Sequence, residues 1–501
     1  MNPHTPFVER LKNTLQKNLQ KFKQLLPSED ILTYEFETRD RTACAIVYAD
    51  GIVNKELLGE LVARPLSSLS LSASSKTEPQ TLLSAIQKTA LFPELKTVES
   101  YVGGMKEILD GNSLLLVDGL PLGVIVGAKL LPNRAVIEPP TDVAIKGPRE
   151  GFIEDVKTNM ALLRKRLKTP DLRFETTRVG KRSDTAVSLC YLSGICDEKV
   201  KKAIVKKLKS VELDCVPDSS YIAAVLSPRP HSLFRAVGTT EKPDILAAKL
   251  SEGRIGILVD GSPIALTVPY ILSEDLQSSE DYFVSPFSAT IFRLIRVLSL
   301  FIATLLPAFY VSAQLFKMQL LPLGLMLTIA SGSRDLPLSP SLEMFVVLLI
   351  FEALKEASAR MPKYVGMSLS VVGALVLGET AVSAGFLSTP SIIIIALSAI
   401  SLYTVPNFVE TGSVLRWLFL IVGGSVGPFG IVLLVAFVLY YLITSDSFGA
   451  PPLAPFSPLI ARDLRDSAVK YDLYSLNTRP KIFRSPNKTR LKRADKSSKG
   501  E

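Results

Sequence analysis

Histidine and cysteine are nearly absent from this chain. Among 501 residues there are two histidines, His4 and His231, and four cysteines, Cys44, Cys190, Cys196 and Cys215. Their spacing matches neither a zinc motif nor a CxxC redox pair, so no metal site is expected. The cysteines read as small buried hydrophobes in a reducing compartment. Phosphate-loop chemistry is missing too: KGPRE, from Lys146, lacks the glycine spacing and the GK[ST] ending. No nucleophile, base and orienting group converge in the sequence, so neither an enzyme nor a bound cofactor is expected. The N-terminal stretch MNPHTPFVERLKNTLQKNLQKF is charged and amphipathic, without the apolar core that a secretion signal needs. The soluble part is therefore expected to stay in the cytoplasm.

What is present divides sharply along the chain. The first 286 residues carry most of the charge, whereas the block from Phe287 to Thr444 is dominated by Leu, Ile, Val, Ala, Gly and Ser. The end is basic: Arg479, Lys481, Arg484, Lys488, Arg490, Lys492, Arg493, Lys496 and Lys499 face only Asp495 and Glu501. By the positive-inside rule this tail is cytoplasmic. Arg293 and Arg296, able to snorkel at the start of the first span, place the N-terminal side there too, so the number of crossings is even. Aromatics suited to base stacking are sparse in the tail, so membrane lipid rather than nucleic acid is its expected partner.

The soluble half repeats itself. TACAIVYADGIVNKELLGELV, from Thr42, aligns with TAVSLCYLSGICDEKVKKAIV, from Thr185, and SLLLVDGLPLGVIV, from Ser113, aligns with RIGILVDGSPIALTV, from Arg254. Each unit reads as a β-branched strand, a glycine turn, a helix and a later hairpin, turned by Asp118 and Gly119 or by Asp260 and Gly261. Positive φ at Asp and Gly in a two-residue turn explains both VDG triplets without catalysis. Between the units a helix carries Arg164, Lys165, Arg166 and Lys168 near its C-terminal end, where solvated cations complement the helix dipole. The expected fold class is an α/β soluble region of two tandem similar subdomains followed by an all-α polytopic transmembrane domain. Its parts are an amphipathic helix and linker over 1–40, subdomain 1 over 41–145, subdomain 2 over 146–284, the helical domain over 285–446 and the basic tail over 447–501.

Within the apolar block the first span covers 288–311, long enough for a hydrocarbon core of roughly 30 Å. Residues 320–330 are too short to cross alone. The segment LSPSLEMFVVLLIFEALKEASARMP has Ser339 as N-cap, Pro340 at the first helical position and Pro362 at its end. Glu352, Lys355, Glu356, Ala359 and Arg360 recur at helical spacing, forming one polar stripe on an apolar rod. It fits an interfacial amphipathic helix, with Glu356 and Arg360 paired across a turn, equally with the lining of an aqueous vestibule. The next span, GMSLSVVGALVLGETAVSAGFLS, sets Gly366, Ser370, Ala374 and Gly378 four apart as a helix-packing ridge, with Glu379 beside it. An ionisable group at mid-bilayer costs roughly 2.5–3.5 kcal/mol on insertion scales, so Glu352, Lys355, Glu356 and Glu379 are the candidate ion-pathway or gate groups. After SIIIIALSAISLYTVPNFVE comes VLRWLFLIVGGSVGPFGIVLLVAFVLYYLIT, with a GGSVGP break that is either a kink in one helix or a division into two halves. Four crossings are clear, and 320–330 and 342–361 decide between four and six.

Several stretches together resemble the A-subunit family of spore nutrient germinant receptors (GerA type). They are EPPTDVAIKGPREGF, TTEKPD, PLSPSLEMFVVLLIFEALKEASARMP, SVVGALVLGETAVSAGFLS and SFGAPPLAPFSP, spread over nearly the whole chain from about Ser113 to Phe483. The resemblance implies a multi-pass protein of the spore inner membrane with a cytoplasmic two-part N-terminal domain. It also implies a complex with a transporter-like B subunit and a C-subunit lipoprotein, nutrient bound mainly through the B subunit, and a homo-oligomer that forms or gates a cation pathway. A non-conducting scaffold and a secondary transporter are the alternatives. Where this family commonly has Gln, this chain has Glu379, and Lys242 and Lys355 stand where Arg is usual.

Overall fold

The computed structural model describes residues 9–70, 79–92, 95–130, 147–333, 336–362, 376–467, 469–472 and 475–490, with Val365, Val371 and Gly373 as isolated positions. Among the described residues ten strands form two five-stranded sheets of identical topology. The first contains β1 (Ile31–Glu37), β2 (Ala43–Ala49), β3 (Leu95–Val98), β4 (Ser113–Val117) and β5 (Gly123–Val126), in the order β1-β2-β4-β5-β3. The second contains β6 (Leu172–Val179), β7 (Thr185–Leu192), β8 (Gly238–Thr240), β9 (Ile255–Val259) and β10 (Ala265–Val268), in the order β6-β7-β9-β10-β8. Every pairing is antiparallel, and the central strands β4 and β9 are buried along their whole length. Continuous runs such as SLLLV and IGILV therefore bury both faces of the strand.

The repeat begins earlier than the aligned segments suggest. Residues 1–40, expected as a helix and linker ahead of subdomain 1, hold helix α1 (Leu15–Leu25) and the edge strand β1. Leu15, Leu19 and Phe22 of α1 enter the first core, where they meet Tyr101 of α2 (Tyr101–Leu109). Its counterpart is α3 (Val156–Arg166). Asn18 accepts from Lys12 N–H and donates to Lys12 O (2.9 and 2.7 Å), and Asn159 does the same with Ile153 (2.9 and 2.5 Å).

The VDG triplets explain why these helices start where they do. Only the glycines take positive φ, Gly119 and Gly261 both at +85°, and the first hairpin connection runs over 118–122 rather than two residues. The aspartates are long-range caps: Asp118 Oδ1 accepts from Leu15 N–H (2.8 Å) and Asp260 Oδ1 from Val156 N–H (3.2 Å). Each satisfies a first-turn amide that no intrahelical carbonyl can reach. In the second unit α4 (Glu198–Lys209) and α5 (Pro243–Glu252) pack on the sheet, with Val200, Ile204, Leu208, Leu246 and Leu250 inward.

The two units are joined by a buried ion pair. Arg164, expected on a solvated face, is 1% exposed. Its Nε and a terminal nitrogen donate to both carboxylate oxygens of Asp30 (2.9 and 2.8 Å), and it also donates to Thr169 O and Leu172 O (3.0 and 3.1 Å). Close by, Gly51 at φ +78° lets the first unit approach α3: a Cβ there would lie 2.9 Å from Ala161 Cβ.

The apolar part comprises α6 (Pro286–Phe316), α7 (Leu323–Ser333), α8 (Pro340–Arg360), α9 (Thr389–Tyr403), α10 (Val409–Ser425) and α11 (Pro428–Thr444), with a π-helical turn over Val376–Thr380. Among the described residues two helices, Pro286–Phe316 and Pro406–Ser425, are long and apolar enough to cross a membrane; Thr389–Tyr403 and Pro428–Thr444 are apolar but shorter. The GGSVGP break separates α10 from α11 at Gly427, φ +76°, with Pro428 at the first helical position.

Contacts sort the helix ends into two levels. Beside the soluble half, Phe234 packs on Phe408 and Tyr441, Thr411 Oγ1 donates to Leu233 O (2.9 Å), and Arg229 donates to Thr444 O (2.9 Å). At the far level Glu343 accepts from Ser388 N–H (2.6 Å), a Cβ on Gly424 would meet Ser341, and one on Gly427 would meet Phe316. Helices α6 and α10 thus run away from the soluble half, and α8, α9 and α11 return to it. The stretch 409–444 is a helical hairpin.

The C-terminal stretch, expected as a basic tail over 447–501, folds back over its described part. Ala450, Ala454, Ile482 and Phe483 form a core with Ile271, and Arg254 lies over the Phe483 ring at 4.2 Å.

Candidate functional site

Of the four predicted pathway or gate residues, two sit half-buried in an ionic network around a fully buried arginine. Glu352 on α8 accepts from Lys355, one turn along, and from Arg416 on α10, which is 0% exposed. Lys355 Nζ donates to Ser413 Oγ (2.9 Å). Arg416 also donates to Ser398 Oγ on α9 (3.1 Å), and the Ser398 hydroxyl donates to Ala303 O on α6 (2.7 Å). One carboxylate thereby ties four helices together. With two cations on Glu352 the cluster carries a formal charge of about +1, so as drawn it repels rather than attracts a free cation. It holds the four helices in one arrangement.

The other predicted residues lie elsewhere. Glu356 is largely exposed and pairs with Arg360 one turn on, Nε to Oε1 at 2.8 Å. Glu379, in the π-helical turn, is exposed, and a Cβ on neighbouring Gly378 would meet open space. Gly366, Ser370 and Ala374 of the predicted ridge fall outside the described residues. Two buried charges in the block escaped sequence reasoning. Arg416 is a single arginine inside VLRWLFL, and Glu343, 1% exposed, lies in the first turn of α8 and receives the Ser388 amide.

A second network fastens the two halves of the molecule. Arg293 and Arg296 on α6, expected to snorkel, both donate to Asp281 (each at 2.9 Å). Arg293 is 1% exposed and reaches Asp466 O (2.5 Å) in the C-terminal stretch; Lys470 adds to the same aspartate (3.2 Å). Burial would raise the Asp281 carboxyl, but the two guanidiniums outweigh it and hold the group below its ordinary range. In subdomain 2, Glu274 binds Lys249 (2.7 Å) and Arg254 (2.5 Å), and again the cations outweigh burial and lower its pKa.

The chain is thus a two-module polar half fastened by a buried ion-pair network to an apolar helical half. The family described as Bacillus/Clostridium GerA spore germination protein matches residues 14–482, and this chain belongs to that family, the A subunits of germinant receptors. Spore germination protein KA of Bacillus subtilis (strain 168) is 32% identical over 482 residues, covering 95% of this chain and 88% of its own length. Uncharacterized membrane protein YfkQ of the same organism is 33% identical over 477 residues, 94% of this chain and 92% of its own. The crystal structure of the N-terminal domain of the A subunit of the Bacillus megaterium spore germinant receptor GerK3 is 29% identical, with a TM-score of 0.40, covering 52% of this chain and 97% of that one.

Proposed function

We propose that this chain is the A subunit of a nutrient germinant receptor in the spore inner membrane, and that copies of it assemble around a cation pathway whose opening starts germination. Its partners are a transporter-like B subunit, which takes most of the nutrient contacts, and a C-subunit lipoprotein. Both the tandem modules and the C-terminal stretch lie on the cytoplasmic side. The observation that supports a gated arrangement of helices is the half-buried cluster of Glu352, Lys355 and Arg416, which joins α6, α8, α9 and α10.

Exposed apolar side chains along three helices supply the lipid-facing surface, among them Leu294 and Phe301 on α6, Ile400 on α9, and Phe429, Phe437 and Tyr440 on α11. With the helix ends in two levels, α6 and α10 lead away from the modules and α8, α9 and α11 lead back, so the modules and the C-terminal stretch share one side. In the closed arrangement Glu352 is neutralised by its cations and acts as a latch. Glu356, exposed and paired with Arg360, and the exposed Glu379 are the carboxylates placed to face a pathway between copies. Nutrient opens the assembly only by binding the open arrangement more tightly than the closed one.

Replacing Glu352 and Glu356 with Gln, singly and together, tests this. The expected result is altered nutrient-triggered cation release at unchanged complex abundance; unchanged release at normal abundance sinks the assignment.

A further inference from the structure

The joint between the two subdomains is made from two unlike faces. Subdomain 1 contributes the loop ahead of β1, and subdomain 2 contributes the end of α3 and the edge of β6. Asp30 binds Arg164, the Ser28 hydroxyl accepts from Phe174 N–H (3.1 Å), and Gly51 lies against Ala161. Because the subdomains repeat one another, each carries both faces, and this joint uses one of each. The loop face of subdomain 2 and the helix-and-edge face of subdomain 1 are left over.

The spare loop has the shape of the one in use. Ser28 N–H donates to Leu26 O (2.9 Å), Ile31 N–H to Ser28 O (3.1 Å) and Asp50 N–H to Asp30 O (2.7 Å). In subdomain 2, Thr169 N–H donates to Leu167 O (2.9 Å), Leu172 N–H to Thr169 O (3.3 Å) and Ser193 N–H to Asp171 O (2.8 Å). Thr169 and Asp171 thus stand for Ser28 and Asp30, and Gly194, at φ +74°, stands for Gly51, at φ +78°. Asp30 is buried, whereas Asp171 is exposed, its carboxylate accepting from the Thr169 hydroxyl (3.3 Å) rather than from an arginine. A Cβ on Gly51 would meet Ala161, but one on Gly194 would meet open space. The C-terminal stretch takes the far rim of this face, where a Cβ on Gly253 would meet Ser485, and leaves Asp171 uncovered.

The matching socket lies on subdomain 1. Lys23 follows Asn18 at the spacing at which Arg164 follows Asn159, and it is exposed near the end of α1; Thr33 on the edge strand β1 stands where Phe174 stands on β6. A groove of about 380 Å³ is lined there by Phe22, Lys23, Leu26 and Thr33. Their counterparts are Leu163, Arg164, Leu167 and Phe174, of which Arg164 and Phe174 hold Asp30 and Ser28. We propose that a second copy of this chain fills the groove: the loop over 169–171 of one copy docks on α1 and β1 of the next, with Asp171 paired to Lys23. Unlike faces meet, so copies join head to tail and form a ring where the rotation between them closes. Lysine offers a point charge in place of the arginine fork, and Pro170 replaces Glu29, which in the internal joint accepts from Thr176 N–H (2.7 Å). The joint between copies is therefore weaker than the one within a copy. The proposal rests on the assembly of copies proposed above and names where they meet.

The test uses the full chain in membranes, carrying Cys215→Ser because Cys215 is exposed while Cys44, Cys190 and Cys196 are buried. One population carries Lys23→Cys and another, differently tagged, Asp171→Cys. A short bismaleimide should link the two populations when mixed and neither alone, and a chain carrying both substitutions should give a ladder of linked copies rather than an internally bridged single chain. Charge reversal adds a second readout. Lys23→Asp and Asp171→Lys should each weaken self-association about tenfold, and the two together should restore it. Wild-type copies that stay single in the membrane overturn the assembly of copies and this joint with it. Copies that assemble yet give no mixed cross-link, or whose assembly ignores the single reversals, or in which the double reversal fares no better than the single ones, overturn the joint alone.

Discussion

Removing Asp30 separates the two subdomains energetically, and its size follows from the geometry. Asp30→Ala takes both carboxylate oxygens from Arg164, bonded at 2.9 and 2.8 Å, at a site where the two side chains are 3% and 2% exposed. The guanidinium keeps Thr169 O and Leu172 O but is left as a buried charge without a counterion. Breaking such a pair from one side costs about 3–5 kcal/mol, a factor of roughly 150 to several thousand in the unfolding constant of the modules. The paired change Asp30→Leu with Arg164→Met removes both charges and should recover most of that loss. Chemical unfolding of the full chain, followed by hydrogen exchange of β1 and β6 amides, measures both. A loss under about 1 kcal/mol for Asp30→Ala, or a paired variant as damaged as the single one, refutes the reasoning.

Asp118→Ala and Asp260→Ala should each cost about 0.5–2 kcal/mol, with exchange rising first at the amides of Leu15 and Val156 respectively. Gly51→Ala should strain both the φ of +78° and the 2.9 Å approach to Ala161, seen as a drop in melting temperature that the exposed Gly59→Ala does not share. Asp275 yields a pH dependence. Its folded pKa, raised to about 6 by burial and faced by Glu274, Tyr270, Arg235 and Lys249, means that the folded chain holds a proton the unfolded chain releases near its ordinary 3.8. Its contribution to stability is full below about pH 4 and is lost as pH rises through 6, so Asp275→Asn should stabilise by about 2–3 kcal/mol at pH 8 and by little at pH 4.

The duplication was legible because β-branched runs and Gly turns recur at nearly constant offset, and the sheets reproduce it strand for strand. Its first helix was not, because α1 and α3 share their inward asparagine, Asn18 or Asn159, while their solvent faces diverge. Periodicity separates buried from exposed faces but carries no information on which distant partner a charge finds. Arg164 at a helix end therefore read as solvated, although Asp30, more than a hundred residues earlier, buries it. In the apolar block the stripe of Glu352, Lys355 and Glu356 was visible from spacing alone. Its division was not, since Arg416 lies on another helix and takes Glu352 while leaving Glu356 outside.

The account stands most directly on ion current. The full receptor complex, with its B and C subunits, is reconstituted in a planar bilayer with and without nutrient. The account predicts a nutrient-dependent cation current that changes when Glu352→Gln frees Arg416 from its latch. A correctly assembled wild-type complex that passes no current with nutrient present contradicts it and leaves the chain a scaffold.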